Sequence, residues 1–133
     1  MEEIKEFIGE YAYMDADYEA HIEINGMSFL CAEAAYQAER MRDKSMRHVF
    51  CELSGKEARV IGMFTIEQED WDKVKKEKIF EINLEKFKQN NSLAEKLIET
   101  KNIPITNPFL GEALMKIRDI IGSAKYEVNN GAI

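Results

Sequence analysis

The sequence predicts an α+β fold, a mainly helical single domain with a small antiparallel β-hairpin near its N-terminus. Three observations predict it. The 133 residues suffice for one domain that buries roughly two thirds of its unfolded surface without disulfide or metal support. Asn25-Gly26 stands between two alternating segments, His21-Ile22-Glu23-Ile24 and Met27-Ser28-Phe29-Leu30, and Asn-Gly accepts the positive φ angles of a type I′ turn. Beyond residue 30, apolar residues recur at helical spacing, and two Ser-x-x-Glu patterns have the form of capping boxes.

Taken in order, Glu6 to Met14 is rich in aromatic residues and reads as a strand interrupted by Gly9. Asp15-Ala16-Asp17 is a loop, and the hairpin follows it. Alanines at 32, 34, 35 and 38 begin a helix expected to reach about Lys44. Arg47 to Leu53 reads as a short helix. Ser54 and Glu57 cap the next one, Gly55 to about Gly62. The longest helix is expected from Asp70 to about Asn90, and a second capping box, Ser92 with Glu95, restarts the chain before Leu93, Leu97 and Ile98. Pro104 bars a central strand in the connector 101–106. Asn107-Pro108 opens a last helix, expected to end at Gly122, with Leu110, Leu114, Ile117 and Ile121 on its core face. Residues 123–133 read as a frayed tail.

Composition excludes several classes. With 32% charged and 45% hydrophobic residues the chain is globular rather than disordered, and no apolar run approaches the ~20 residues that span a bilayer. The start, Met1-Glu2-Glu3-Ile4-Lys5-Glu6, lacks the basic and apolar regions of a signal peptide, so a cytoplasmic protein is expected. Residues 1–30 carry eight acidic residues against one lysine, which alone amounts to the net charge of −7. Charge therefore argues against duplex nucleic acid as a partner, whereas a basic protein suits that acidic N-terminal face. Lys73, Lys75, Lys76 and Lys78 read as the solvated side of a helix, with Asp72, Glu77 and Glu81 interleaved. His48 and Cys51 have helical spacing but no companions that would complete a zinc site, so no metal is expected. Gly55-Lys56 is not a phosphate loop, because the glycine five residues earlier is absent. No cofactor is indicated.

Helical spacing gathers Glu33, Tyr36 and Gln37 on one face, where a carboxylate, a phenol and an amide among small alanines can line a pocket. The plain structural alternative is a helix-start carboxylate favoured by the dipole and a core aromatic. What adds weight to the pocket is the order of several short segments. These are Gly9-Glu10-Tyr11, Ile24-Asn25-Gly26-Met27-Ser28-Phe29, Glu33-Ala34-Ala35-Tyr36-Gln37-Ala38, Ala58-Arg59-Val60-Ile61-Gly62 and Asp70-Trp71-Asp72-Lys73-Val74-Lys75. Lys86-Phe87-Lys88-Gln89-Asn90-Asn91-Ser92-Leu93 and Leu110-Gly111-Glu112-Ala113-Leu114-Met115 complete the series. In this order the chain resembles the NADAR superfamily over about residues 7–121.

The resemblance implies an N-glycosidase acting on ADP-ribosyl or ribosyl-phosphate conjugates, riboflavin intermediates included. It carries Glu33 as the catalytic-type carboxylate, with Tyr36, Gln37, Arg59, Trp71 and Tyr11 as ligand-binding positions. Four departures bear on activity. Ala34 replaces the family histidine, Met14-Asp15-Ala16-Asp17 replaces Leu-Ser-Asn-Phe, and Met63 replaces a basic residue. The family's Asp-x-x-Trp-Gly loop, which supplies a second acid and a pocket wall, is absent where Asn107-Pro108 runs directly into Phe109-Leu110-Gly111. The resemblance therefore also admits a catalytically inactive nucleotide-binding or protein-interaction module, with Asp15 or Asp17 as replacement carboxylates for an active one.

Overall fold

The structure is a computed structural model that describes residues 2–129. It bears out the α+β fold, with one two-stranded antiparallel sheet among the described residues. Strands β1 (Ile22–Ile24) and β2 (Met27–Phe29) pair Ile22 with Phe29 and Ile24 with Met27. Asn25 and Gly26, at φ 53° and 79°, make the left-handed turn that Asn-Gly accepts. Helix α1 spans Ala32–Arg40, α2 Gly55–Gly62, α3 Trp71–Gln89, α4 Asn91–Glu99 and α5 Gly111–Asn129.

Local chemistry explains most boundaries. The first capping box forms completely, with the Ser54 hydroxyl accepting from the Glu57 N–H and the Glu57 carboxylate accepting from the Ser54 N–H. The residues before α2 form a 3₁₀ helix, Lys44–Glu52, where a short helix is expected. Asp70 enters α3 in the left-handed region, at φ 60°.

Four expectations are corrected. Residues 9–14 form a 3₁₀ helix instead of a strand, because Gly9 at φ 57° turns the chain and Tyr13 and Met14 bury their side chains in the core. Helix α1 stops at Arg40 because Met41 is extended and bridges Glu67, while Arg42 N–H donates to the Ile66 carbonyl. Ser92 lies within the first turn of α4 and does not cap it. Asn90 takes the boundary, its amide donating to the carbonyls of Lys86 (2.8 Å) and His21 (2.9 Å). Finally, α5 begins at Gly111, since Asn107 caps the turn 108–110 by accepting from the N–H groups of Phe109 and Leu110. It then passes through Gly122 to Asn129, a lone helical glycine costing only about 1 kcal/mol against alanine. The end of the expected frayed tail, 130–133, lies outside the described residues.

Two apolar clusters build the interior. One joins Tyr13, Met14, Phe87, Leu97, Leu114 and Ile117, so that α3, α4 and α5 close on the N-terminal segment. The other joins Ile22, Phe29, Phe50, Ala58 and Ile82 to the alanines of α1. Small side chains let the hairpin, α2 and α3 approach α1 closely, and burial at this density is the main stabilising term. Ala16 packs against both clusters. No helix among the described residues is long and apolar enough to cross a membrane.

Candidate functional site

Between the two clusters lies an open cavity of about 470 Å³. One side is formed by the loop 15–17 with α1 and α2, which contribute Asp15, Ala16, Ala32, Glu33, Tyr36 and Arg59. The other side is formed by Ile79, Ile82 and Asn83 of α3 with Asn107, Phe109 and Leu110, and Phe7 also lines the space. A cleft of this size with apolar walls and a few polar groups is the usual form of a small-molecule site.

Glu33 is positioned by its own helix and by the loop. It sits in the first turn of α1, where its backbone N–H donates to the Ala16 carbonyl at 3.0 Å. Its carboxylate accepts from the Gln37 amide at 3.1 Å, and the Arg59 guanidinium stands 4.0 Å away. Burial pushes the Glu33 carboxyl above the usual glutamate range, against the hydrogen bond from Gln37 and the charge of Arg59, with Asp17 and Asp15 pushing it further up. A carboxyl so placed exchanges a proton nearer to neutrality than a surface acid.

Arg59 reaches across from α2, but its charge is already engaged. Its Nη2 donates to both carboxylate oxygens of Asp17 at 2.6 Å, a charge-assisted fork. Gly55 makes this possible, since a Cβ there would collide with the Asp17 carboxylate. The loop is also held from beneath: Asp17 N–H donates to Asp15 Oδ1 at 2.8 Å, and Lys86 Nζ donates to the Asp15 carbonyl at 3.0 Å. Lys86 is fully buried, and desolvation lowers its ammonium to about 8. The Tyr18 and Phe87 rings lie 5.9 and 5.4 Å from its nitrogen.

The structure brings only some of the expected residues to the cavity. Glu33, Tyr36 and Arg59 line it. Trp71, 2% exposed, stands behind Tyr36 instead. Its indole N–H donates to the Tyr36 hydroxyl at 3.3 Å, with ring centroids 5.4 Å apart, so it orients the phenol. Gln37 is buried and contacts Glu33, with its Oε1 unpaired. Tyr11 packs against the α3–α5 cluster and is not among the lining residues. Sequence reasoning missed Asn83 and Lys86. Both fall on the long lysine-rich helix α3, where only their burial distinguishes them from its solvated residues. Asn83 is 3% exposed. Its Nδ2 donates to the Ile79 carbonyl at 2.8 Å, and its Oδ1 has no hydrogen-bond partner. Among the described residues no three His, Cys, Asp or Glu side chains gather as a metal site would require.

Comparison with known proteins bears on the family and the fold. The NADAR domain family model matches residues 4–108. Among solved structures, the chain is similar to the E. coli protein YbiA, determined by NMR, at a TM-score of 0.82 and 19% identity, over 96% of this chain and 90% of that one. That likeness is one of fold. No curated protein matches the sequence significantly.

Proposed function

The chain belongs to the NADAR family, and on that premise we propose that it hydrolyses an N-glycosidic bond to ribose, with Glu33 as the central carboxylate. The substrates are ADP-ribosyl or ribosyl-phosphate conjugates, riboflavin intermediates among them. The observation that carries this reading is a partly buried carboxyl with a raised pKa on the wall of an open cavity, with Asp15 on the same lining.

Breaking a ribosyl C–N bond builds positive charge at the anomeric carbon, as other glycoside cleavages do. In ionised form Glu33 steadies that charge or takes a proton from the attacking water. The water oxygen bonds to the anomeric carbon as the C–N bond breaks, and the leaving nitrogen keeps the electron pair and gains a proton. That proton comes from solvent, and Asp15 on the same lining stands as the second carboxylate in place of the one that the absent loop supplies elsewhere in the family. Tyr36, steadied by Trp71, gives an aromatic face for sugar or base. Because burial raises the Glu33 pKa, the rate falls on acidification at a pH above that of an ordinary glutamate. We place the activity in the cytoplasm, which suits the free thiols Cys31 and Cys51.

The test is incubation with ADP-ribosylated protein or nucleic acid and with phosphoribosylated riboflavin intermediates, following release of the base. Glu33→Gln is expected to lower turnover by about 10²- to 10⁴-fold while binding persists. Unchanged turnover in that variant sinks the mechanism. A second reading, a binding module without chemistry, is favoured by the Arg59–Asp17 pair, which leaves the guanidinium neutralised within the site. Calorimetry that detects ligand binding with no hydrolysis by the unmodified protein selects it.

A further inference from the structure

We infer that the chain pairs with a second copy of itself through the apolar end of α2 and the segment that follows it. Five large apolar side chains stand exposed there, Val60, Ile61, Met63, Phe64 and Ile66, the last three at 74%, 85% and 66%. Val60, Met63 and Phe64 lie one helical turn apart, and the turn carries past the end of α2, with the N–H groups of Met63 and Phe64 donating to the carbonyls of Val60 and Ile61. At the ~150–250 Å² that an aromatic side chain offers, and somewhat less for an aliphatic one, these exposed fractions amount to roughly 500 Å² on each copy. With a polar rim that approaches the ~800 Å² per partner of a standard interface. An apolar patch of this extent marks an interaction surface.

Shape and charge select a copy of this chain over another partner. Phe64 stands exposed at the edge of an open groove of about 320 Å³, lined also by Met41, Arg42, Asp43, Thr65 and Ile66. A twofold contact needs one patch to offer both a projection and a recess, and this patch has both. The two segments that frame the groove, 40–44 and 66–69, hold Arg40, Arg42 and Lys44 against Asp43, Glu67 and Glu69. That set is balanced, although the whole chain carries a net charge of −7. A strongly acidic or basic partner meets no opposing field there, whereas a twofold axis brings Arg42 of each copy toward Asp43 of the other. The pairing goes beyond the proposed function and does not depend on the chemistry at Glu33.

Sedimentation velocity on the intact chain, between about 1 and 200 µM, is expected to show particles growing from one chain to two. Phe64→Ser is expected to weaken the pairing at least tenfold, as the loss of a central aromatic anchor does, with helical content unchanged by circular dichroism. Arg42→Asp and Asp43→Arg should each weaken it alone, and a mixture of the two variants should pair again because both charge contacts are restored. Asp43→Arg gives up the bond from the Ser45 N–H; if it fails to fold, Phe64→Ser decides the matter by itself. A particle of one chain at every concentration, whatever other protein it captures, overturns the inference. So does a dimer that Phe64→Ser leaves intact, or a mixture of folded charge variants that associates no better than either alone.

Discussion

The two walls of the cavity hold their polar groups in opposite ways. On the α1–α2 wall each group is tied to another: Glu33 to Gln37, Arg59 to Asp17, Tyr36 to Trp71. On the facing wall Ile79, Ile82, Leu110 and Phe109 are apolar, and of the two amides among them Asn107 is tied to the backbone of its own turn while Asn83 leaves its Oδ1 without a partner. A wall of interlocked polar groups fixes geometry before a ligand arrives, whereas an apolar wall contributes shape and desolvation. The difference teaches that preset polar geometry and apolar fit are divided between the two sides of one cavity, although Ile82 ties α3 into the cluster that supports α1.

Three changes break or sharpen that contrast. The largest effect concerns Lys86, through which α3 supports the polar wall. Its folded pKa, about 8, lies below the ordinary lysine value of 10.5. The unfolded chain therefore binds more protons between those values, and stability rises with pH across that window. Denaturant titrations from pH 8 to 9.5 should show a gain on the order of 2 kcal/mol, and Lys86→Met should flatten it. A pH-independent midpoint in the unmodified protein removes this account.

A smaller effect is expected at Gly62, where a Cβ would overlap the Gln37 amide. Gly62→Ala should push Gln37 against Glu33 and lower turnover by about tenfold, since small misplacements of catalytic groups cost such factors. Steady-state kinetics with an unchanged melting temperature would isolate the effect to the polar wall. The smallest concerns Phe109, 84% exposed. Phe109→Ala should change stability by less than about 0.5 kcal/mol, as exposed sites do, while weakening ligand binding measurably by calorimetry. An equal loss of stability would mean that this ring belongs to the core.

How far the sequence disclosed all this follows the same division. The hairpin, the Ser54–Glu57 cap and the core face Leu110, Leu114, Ile117, Ile121 rest on local rules, and each formed. Glu33, Tyr36 and Arg59 were legible because helical spacing and the ordered family segments mark them. The position of Trp71 behind Tyr36 was not legible, because a motif gives a residue's place in the chain but not which way the side chain faces. Asn83 and Lys86 were illegible, since polar residues on an amphipathic helix look alike until another segment covers them. The 3₁₀ turn at 9–14 escaped because aromatic content favours a strand only where a partner strand exists.

One feature at the chain's beginning governs when the cavity can exist. Ile4 N–H donates to the Pro104 carbonyl and the Ile4 carbonyl accepts from Thr106 N–H, both at 2.8 Å. The bridge joins points nearly a whole sequence apart, and contacts of such separation close late because their loop entropy must be met first. The hairpin with α1 and α2 rests on near neighbours and gathers early. During synthesis the carboxylate helix is thus assembled on a half-built molecule, and its opposing wall arrives only when residues past 105 have emerged.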